Sequence, residues 1–278
     1  VYSGSDATAT INVTAVNDAP TRTAGTPSAI TVNEDSANTT AVTLGLSGLT
    51  YGNGGGADEA GQTLTYTVTA IPAFVTVYKS DGTTQVTAGN TVTLAELKGL
   101  TYKTVGDAAG TGNLTWTVVD GGGGTNTLTE ILAITVAGVN DTPAWTAGTP
   151  SAITVNEDSA NTVAVTLGLG SNTYGPGGGA DEAGQALTYT ITGIPSFITL
   201  WKSDGATSVT ANTTVTAAEL LGLKYKTVAD ASGTGTLTWT VVDNGGGTDT
   251  LTETLSVTVA AVNDAPVINA LGGDSNSF

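Results

Sequence analysis

The residues best suited to chemistry in this chain are carboxylates set beside asparagine, and they recur. Asn17-Asp18-Ala19-Pro20, Asn140-Asp141-Thr142-Pro143 and Asn263-Asp264-Ala265-Pro266 follow one another at a spacing of 123 residues. Between them stand Glu34-Asp35, Asp58-Glu59 and Asp120, then Glu157-Asp158, Asp181-Glu182 and Asp243 at the same spacing. His and Cys are absent, which removes imidazole bases, thiolate nucleophiles, disulfides and the usual transition-metal ligands. Oxygen donors remain. Calcium takes about six to eight oxygens from Asp, Glu, Asn and backbone carbonyls and tolerates irregular loops, so a hard divalent cation is the ligand these side chains suit. Glycoside hydrolysis also needs only two carboxyl groups. Adjacent Asp58 and Glu59 would face opposite ways on a strand, however, and no nucleophile is paired with a base, so the sequence reads as non-enzymatic.

Composition narrows the partners. Seven Lys and Arg stand against 24 Asp and Glu, a net charge of −17, so the clustered cations that phosphate binding requires are missing and nucleic acid is excluded. No apolar run reaches the roughly 18 residues of a membrane span, so no membrane insertion is expected. The chain holds no Met and opens on Val1-Tyr2-Ser3-Gly4 without a charged-then-apolar leader, which reads as an internal segment of a longer protein.

The elements that must position the carboxylates are strands. Leu64, Tyr66 and Val68 alternate with threonines, as do Leu114, Trp116 and Val118, and Leu132, Ile134 and Val136. That period of two marks half-buried strands. Asn53-Gly54-Gly55-Gly56, Asp81-Gly82 and Gly121-Gly122-Gly123-Gly124 punctuate them as turns. Residues 93–100, Thr-Leu-Ala-Glu-Leu-Lys-Gly-Leu, predict one helical turn closed by Gly99. Trp116 and Trp239 fall mid-strand and are expected in the core, while Asp81 and Asp204 are expected to serve Asp-Gly hairpin turns. Asp107 and Asp230 remain open between a ligand role and a surface loop.

Roughly three-quarters of positions match between residues 24–141 and 147–264 without a gap, the mark of tandem copies of one unit. The ten acidic residues from Glu34 to Asp141 all reappear in the second copy. The expected organisation is residues 1–18 as the last strand of a preceding repeat, 19–141 and 142–264 as two complete repeats, and 265–278 as the start of another module. In residues 1–18, Ala9, Ile11 and Val13 fall where Leu255, Val257 and Val259 lie.

Ile30-Thr31-Val32-Asn33-Glu34-Asp35, Asp58-Glu59-Ala60-Gly61-Gln62-Thr63-Leu64-Thr65-Tyr66, Leu114-Thr115-Trp116-Thr117-Val118-Val119-Asp120-Gly121 and Val139-Asn140-Asp141-Thr142-Pro143 together resemble the bacterial cadherin-like repeats of giant secreted surface adhesins. The resemblance covers both copies. It implies tandem all-β Ig/cadherin-like Greek-key sandwiches, Ca2+ at the domain junctions, and a role as stiff extender repeats of an extracellular adhesin or biofilm protein at the surface of a bacterium. Carried over residue by residue, it implies a complete ligand set of Glu34, Asn140, Asp141, Asp181 and Asp243, with Glu182 as a substitute ligand. Asn17, Asp18, Asp58, Glu59 and Asp120 form a partial set before the first copy, and Glu157, Asn263 and Asp264 another after the second. Where relatives read D-x-D-G-D, this chain reads Asp58-Glu59-Ala60-Gly61-Gln62, two carboxylates fewer, which implies weaker binding or fewer ions. The neighbouring repeats are the first partners. Two other readings stand beside this one: a filament subunit that assembles with identical chains by strand exchange through residues 1–18, and a module that binds surface glycans through Tyr78, Trp145 or Trp201.

Overall fold

The computed structural model describes residue 4 and residues 8–124, 126–247 and 249–266. It divides into two compact units, one of residues 1–139 with Gly179–Asp181 and the other of Asn140–Gly178 with the chain from Glu182 onward. Each is an all-β sandwich. The first contains β1 (Thr21–Ala24), β2 (Ile30–Asn33), β3 (Val42–Thr43), β4 (Thr50–Gly52), β5 (Thr65–Ala70), β6 (Val75–Tyr78), β7 (Gln85–Val86), β8 (Thr91–Val92), α1 (Leu94–Lys98), β9 (Thr101–Thr104), β10 (Gly110–Val119) and β11 (Thr127–Ala137). One sheet runs β2-β11-β10-β5-β8, the facing sheet runs β3-β9-β6-β7, and β1 pairs with β4 in a two-stranded ribbon. β2 lies parallel to β11 while the other pairs are antiparallel, so the chain crosses between sheets as a Greek-key sandwich does.

The alternation in the sequence is what closes the sandwich. Leu114, Trp116 and Val118 of β10 and Leu132, Ile134 and Val136 of β11 face inward and meet Val75 and Val77 of β6 and Tyr102 of β9 in one core. The threonines between them face out, and Thr69 and Thr115 join hydroxyls across strands at 2.7 Å. Trp116 is fully buried, as is Trp239 at the equivalent place in the second unit. α1 forms where expected. Thr93 caps it by accepting from the Glu96 N–H at 3.2 Å, while Glu96 accepts from the Thr93 N–H at 2.8 Å, a reciprocal capping box. Lys79 donates to Glu96 at 2.7 Å, and together with the Thr93 contacts this holds the Glu96 carboxyl down at about 2.

The second unit repeats the plan with β12 (Ala144–Ala147), β13 (Ile153–Asn156), β14 (Val165–Thr166), β15 (Thr173–Gly175), β16 (Thr188–Gly193), β17 (Ile198–Trp201), β18 (Ser208–Val209), β19 (Thr213–Val215), α2 (Ala217–Leu221), β20 (Lys224–Thr227), β21 (Gly233–Val242) and β22 (Thr250–Ala260). Its sheets are β13-β22-β21-β16-β19 and β14-β20-β17-β18, with the β12-β15 ribbon. Residues 8–20 contain no strand, and Ile11, Val13 and Val16 are 86%, 85% and 77% exposed. A strand needs a partner for its N–H and C=O groups, and no described strand pairs with this segment. The module expected from 265 onward falls almost wholly outside the described residues.

Beneath each ribbon lies a polar layer, and here the copies diverge. In the first unit Arg22 of β1 donates to Glu130 of β11 at 2.9 Å, and the Trp116 indole donates to the Tyr51 hydroxyl of β4 at 3.0 Å. Burial pushes Tyr51 up to about 12 despite the opposing Trp116 hydrogen bond. In the second unit Trp145 stands where Arg22 stood. Glu253, buried and without a cation, is pushed above the ordinary carboxylate range by its burial, with the Trp145 side chain opposing the shift.

The difference in charge between the units and the capping box that they share lead to three predictions. Because its folded-state value is raised, Glu253 supports folding below about pH 4, the ordinary unfolded value, and that support is lost as pH rises through the elevated value. Glu253→Gln is expected to stabilise the second unit at pH 7 and flatten its decline from acid to neutral pH. Glu130→Gln is expected to weaken the first, because it takes the charged partner from Arg22. Amide hydrogen exchange followed separately at Leu237 and Leu114 checks both. Thr216→Ala, which removes the Thr216–Glu219 capping box of α2, is expected to cost the second unit about 1 kcal/mol in denaturant unfolding.

Candidate functional site

At one end of the first unit, the Asn17-Asp18 segment is held by carboxylates that reach it from two loops. Asp120 ends β10, where the chain turns into the glycine run, and its Oδ1 accepts from Asn17 Nδ2 and from the Gly122 N–H, both at 3.1 Å. Glu59 lies in the 53–64 loop, which doubles back through a Gln62 N–H donated to the Glu59 carbonyl at 3.1 Å. Its Oε1 accepts from the Asp18 N–H at 3.1 Å. Gln62 Nε2 donates to Asn17 Oδ1 at 2.8 Å, and Asn53 Nδ2 donates to the carbonyls of Glu59 and Gln62, each at 2.8 Å. Glu59 and Asp120 are 2% and 4% exposed although they are acidic. Asn17, Asp58, Glu59, Gln62 and Gly122 share the wall of a cavity of about 180 Å³. A Cβ on Gly122 would collide with Asn17 Oδ1 and Gln62 Nε2, so the glycine run gives the asparagine room to sit against Asp120.

The second unit builds the same arrangement. Asn140 Nδ2 and the Gly245 N–H donate to Asp243 Oδ1 at 3.1 and 3.0 Å, and the Asp141 N–H donates to Glu182 Oε1 at 3.4 Å. A Cβ on Gly245 would collide with Asn140 Oδ1.

In each of these networks some buried oxygens receive no hydrogen bond. Glu59 Oε2, Asp120 Oδ2 and Gln62 Oε1 are such atoms in the first unit, and Asp243 Oδ2 and Gln185 Oε1 in the second. A buried carboxylate oxygen without a donor or counter-charge is costly. Hard oxygens of this kind fit a divalent cation. The fit is a sparse one: among the described residues no group of three or more acidic side chains is arranged around a common point. The side-chain oxygens of Asn17 and Gln62 beside them are neutral amides, so the network carries fewer negative charges than the number of its oxygens suggests.

Glu34 and Glu157 sit at the other end of their sandwiches, each opening a short 3-10 turn after β2 or β13. Both are buried. Glu34 Oε1 accepts from the Val139 N–H and Glu157 Oε1 from the Val262 N–H, each at 2.8 Å. Thr104 and Thr227 hydroxyls donate to the Glu34 and Glu157 carbonyls. Val139 and Val262 directly precede Asn140 and Asn263, so these glutamates grip the last residue before each Asn-Asp pair. Asn263 Nδ2 donates to the Asp264 carbonyl at 3.2 Å. Asp58 and Asp181 are exposed, and Asp181 belongs to the Gly179–Asp181 segment of the first unit rather than to the Glu182 network.

Sequence reasoning missed Gln62 and Gln185, which had looked like lost carboxylates. Their place three residues after a buried Glu, across a tight turn, is the signal that assigns them to the same cluster. Asp81 and Asp204 take no part in it. The Thr84 hydroxyl donates to Asp81, as do the N–H groups of Thr83 and Thr84 at 2.8 Å, and together they hold its carboxyl far below the usual range; Asp204 likewise accepts from the Thr207 hydroxyl and from the N–H groups of Ala206 and Thr207. Asp107 and Asp230 adopt positive φ values of 55° and 57° in turns. The aromatic faces of Tyr78 and Trp201 are occupied: Lys103 Nζ lies 5.3 Å from the Tyr78 ring centre and Lys226 Nζ 4.5 Å from that of Trp201. Trp145 is 45% exposed.

No protein-family profile matches the chain, and no curated protein matches it. Among solved structures, mouse cadherin-23 EC22-24 is similar at 15% identity and a TM-score of 0.36, over 88% of this chain and 67% of that one. Protocadherin gamma B2 extracellular cadherin domains 1-5 match at 14% identity and a TM-score of 0.39, over 90% of this chain and 41% of that one. Human mucin-like protocadherin EC1-2 matches at 15% identity and a TM-score of 0.32, over 87% of this chain and 99% of that one. This chain thus spans less than half of the protocadherin gamma B2 chain it matches.

Proposed function

We propose that this chain is a structural segment of an extracellular adhesion-type repeat protein, in which Ca2+ bound around each Asn-Asp linker stiffens the string of sandwiches. The observation that carries this reading is the repeated pair of buried acids, Glu59 with Asp120 and Glu182 with Asp243, each reaching an Asn-Asp linker by a hydrogen bond. Oxygens of Glu59, Asp120 and Asp243 that receive no hydrogen bond add to its support. Glu34, Asn140, Asp141, Asp181, Glu182 and Asp243 would hold the ion at the central linker. Asn17, Asp18, Asp58, Glu59 and Asp120 would supply the partial set before it, and Glu157, Asn263 and Asp264 the one after. Calcium supplies positive charge to oxygens that otherwise repel one another. With glutamines at 62 and 185 the charge count is low, which sets the expected affinity on the order of 10⁻⁴–10⁻³ M, as in other extracellular calcium modules.

Binding only to the ordered linker stabilises that state by mass action. Calcium at 100 times its dissociation constant is expected to add about 2.7 kcal/mol to the stability of a unit that holds one ion. Calorimetric titration of the full chain, repeated with Asp141→Ala and Asp243→Asn, is expected to lose one binding event in each variant. X-ray scattering in chelator is expected to show a broadened distribution of interatomic distances. Absence of both heat and thermal shift at millimolar calcium overturns the cation, and an unchanged distance distribution overturns the stiffening.

A second reading, assembly with identical chains, is favoured by Ile11, Val13 and Val16, three apolar side chains at alternating or near-alternating positions and all exposed. Such a segment suits addition to a sheet edge of another copy. Deleting residues 1–16 is expected to abolish any oligomer seen by light scattering; an oligomer that survives the deletion is not linked through this segment.

A further inference from the structure

The ribbon of the second unit is the part of that sandwich least tied to the rest. β12 and β15 pair only with each other, whereas every other strand of the unit belongs to one of its two large sheets. A two-stranded ribbon has little stability of its own, so what holds this one down is the layer beneath it. β12 opens at Ala144, directly after Asn140-Asp141-Thr142-Pro143, so the ribbon is also where the chain enters the sandwich.

That layer is a connected polar cluster with a carboxyl in it. Glu253 of β22 is 5% exposed and stands directly across from Trp239 of β21. The Trp145 side chain of β12 lies against both the Glu253 carboxyl and the Tyr174 hydroxyl, and Tyr174 of β15 reaches the side chains of Trp239 and Asn172. In the first unit the place of Trp145 is taken by Arg22, whose guanidinium neutralises Glu130 at 2.9 Å. An indole has one N–H to give and no charge. The titratable group that faces Glu253 is Tyr174, itself raised by burial and so neutral wherever a carboxyl titrates, and among the described residues no ion pair engages Glu253.

The two charge states of Glu253 therefore act on the ribbon in opposite ways. As the neutral acid it can accept from the Trp145 indole and leaves no charge in the layer. Ionised, it sets an uncompensated negative charge beneath Trp145 and Tyr174, which lifting the ribbon relieves by admitting water. Burial holds the carboxyl above its ordinary range while the ribbon is closed, and an open ribbon returns it to that range, so the closed state is favoured at low pH and loses ground as pH rises. We infer that the β12–β15 ribbon is a pH-sensitive latch at the entrance of the second unit, closed over protonated Glu253 and released by its ionisation, and that the first unit, with Arg22 over Glu130, has no such latch. The inference is independent of the cation proposal, since Trp145, Tyr174 and Glu253 belong to neither linker network.

The test is amide hydrogen exchange of the full chain from about pH 4 to about pH 8, with the chemical exchange rate at each pH divided out. The β12 and β15 amides are expected to lose at least about fivefold in protection across that range, while the protection of β1 and β4 does not fall. At the upper end they are expected to exchange at least about tenfold faster than Leu237 of β21, because the ribbon lifts without unfolding the sheets. Glu253→Gln stays neutral at every pH, and Trp145→Arg gives the second unit the residue that the first already folds with. Each is expected to abolish the loss of protection. The inference is overturned if β12 and β15 keep their protection up to the highest pH, if β1 and β4 lose as much, if the ribbon amides never exchange faster than Leu237, or if the loss survives in Glu253→Gln.

Discussion

Each sandwich begins by fastening its own linker, and the fastening is made by buried acids. Asp120 and Asp243 accept from the asparagine side chain, while Glu59 and Glu182 accept from the backbone of the following aspartate. A third acid then grips the far end of the same sandwich, Glu34 at Val139 and Glu157 at Val262. The Asp120 and Glu34 bonds, with their counterparts in the second unit, reach over about a hundred residues of chain, and those of Glu59 and Glu182 over 41, so that both ends of a unit are tied to its own sheets. They also bring acidic oxygens out of water in a protein with a net charge of −17. That burial underlies the cation reading, and the bonding explains why the linkers are built from Asn-Asp-x-Pro. The asparagine donates, the aspartate offers its N–H, and proline keeps the backbone just before it extended.

Much of the sandwich was legible because it rests on local periodicity. The alternation of Leu114, Trp116 and Val118 with threonine has one stable solution, a sheet with a buried face, and Thr93 with Glu96 specifies the start of α1 by side-chain chemistry alone. The acids were visible as residues at strand ends and loops, but not their grouping: Glu59 and Asp120 meet at the Asn17-Asp18 end of the sandwich, while Glu34 follows β2 at the other. What the sequence concealed was the division of labour among them. Nothing local distinguishes Asp58 from Glu59, yet one lies exposed and the other is 2% exposed, because the 53–64 loop doubles back and turns only the second inward. Gln62 was hidden likewise, since its part depends on Asn17, a residue 45 positions away. Residues 1–18, expected as the last strand of a preceding repeat, show another limit: alternation at Ala9, Ile11 and Val13 marks a strand only where a partner strand exists to receive it, and no described strand pairs with residues 8–18.

The paired copies let the effect of single residues be read within one molecule. Arg22 and Glu130 neutralise one another under the first ribbon; with Trp145 in place of the arginine, Glu253 keeps its position but loses its cation, and its carboxyl rises out of the ordinary range. The Trp116 indole donates to Tyr51 in the first unit, while in the second Tyr174 stands against the side chains of Trp239, Trp145 and Asn172, although the tyrosines lie at equivalent places. The sheets absorb these changes without altering their strand order. Stability of the fold therefore resides in the apolar layer between the sheets, and the polar layer beneath the ribbon is free to vary.

A unit whose inter-sheet core is complete can tolerate a hollow at its margin, because the cost falls on a layer that does not hold the sheets together. The linker acids cannot vary in the same way: each anchors backbone that the next sandwich must start from, so losing one leaves its partners buried and unpaired. Substitutions between copies should thus gather under the ribbons, while the linker acids stay constant. The two copies already follow that division, with all ten acids from Glu34 to Asp141 repeated and the changes at 22, 49 and 94 gathered around one ribbon and helix.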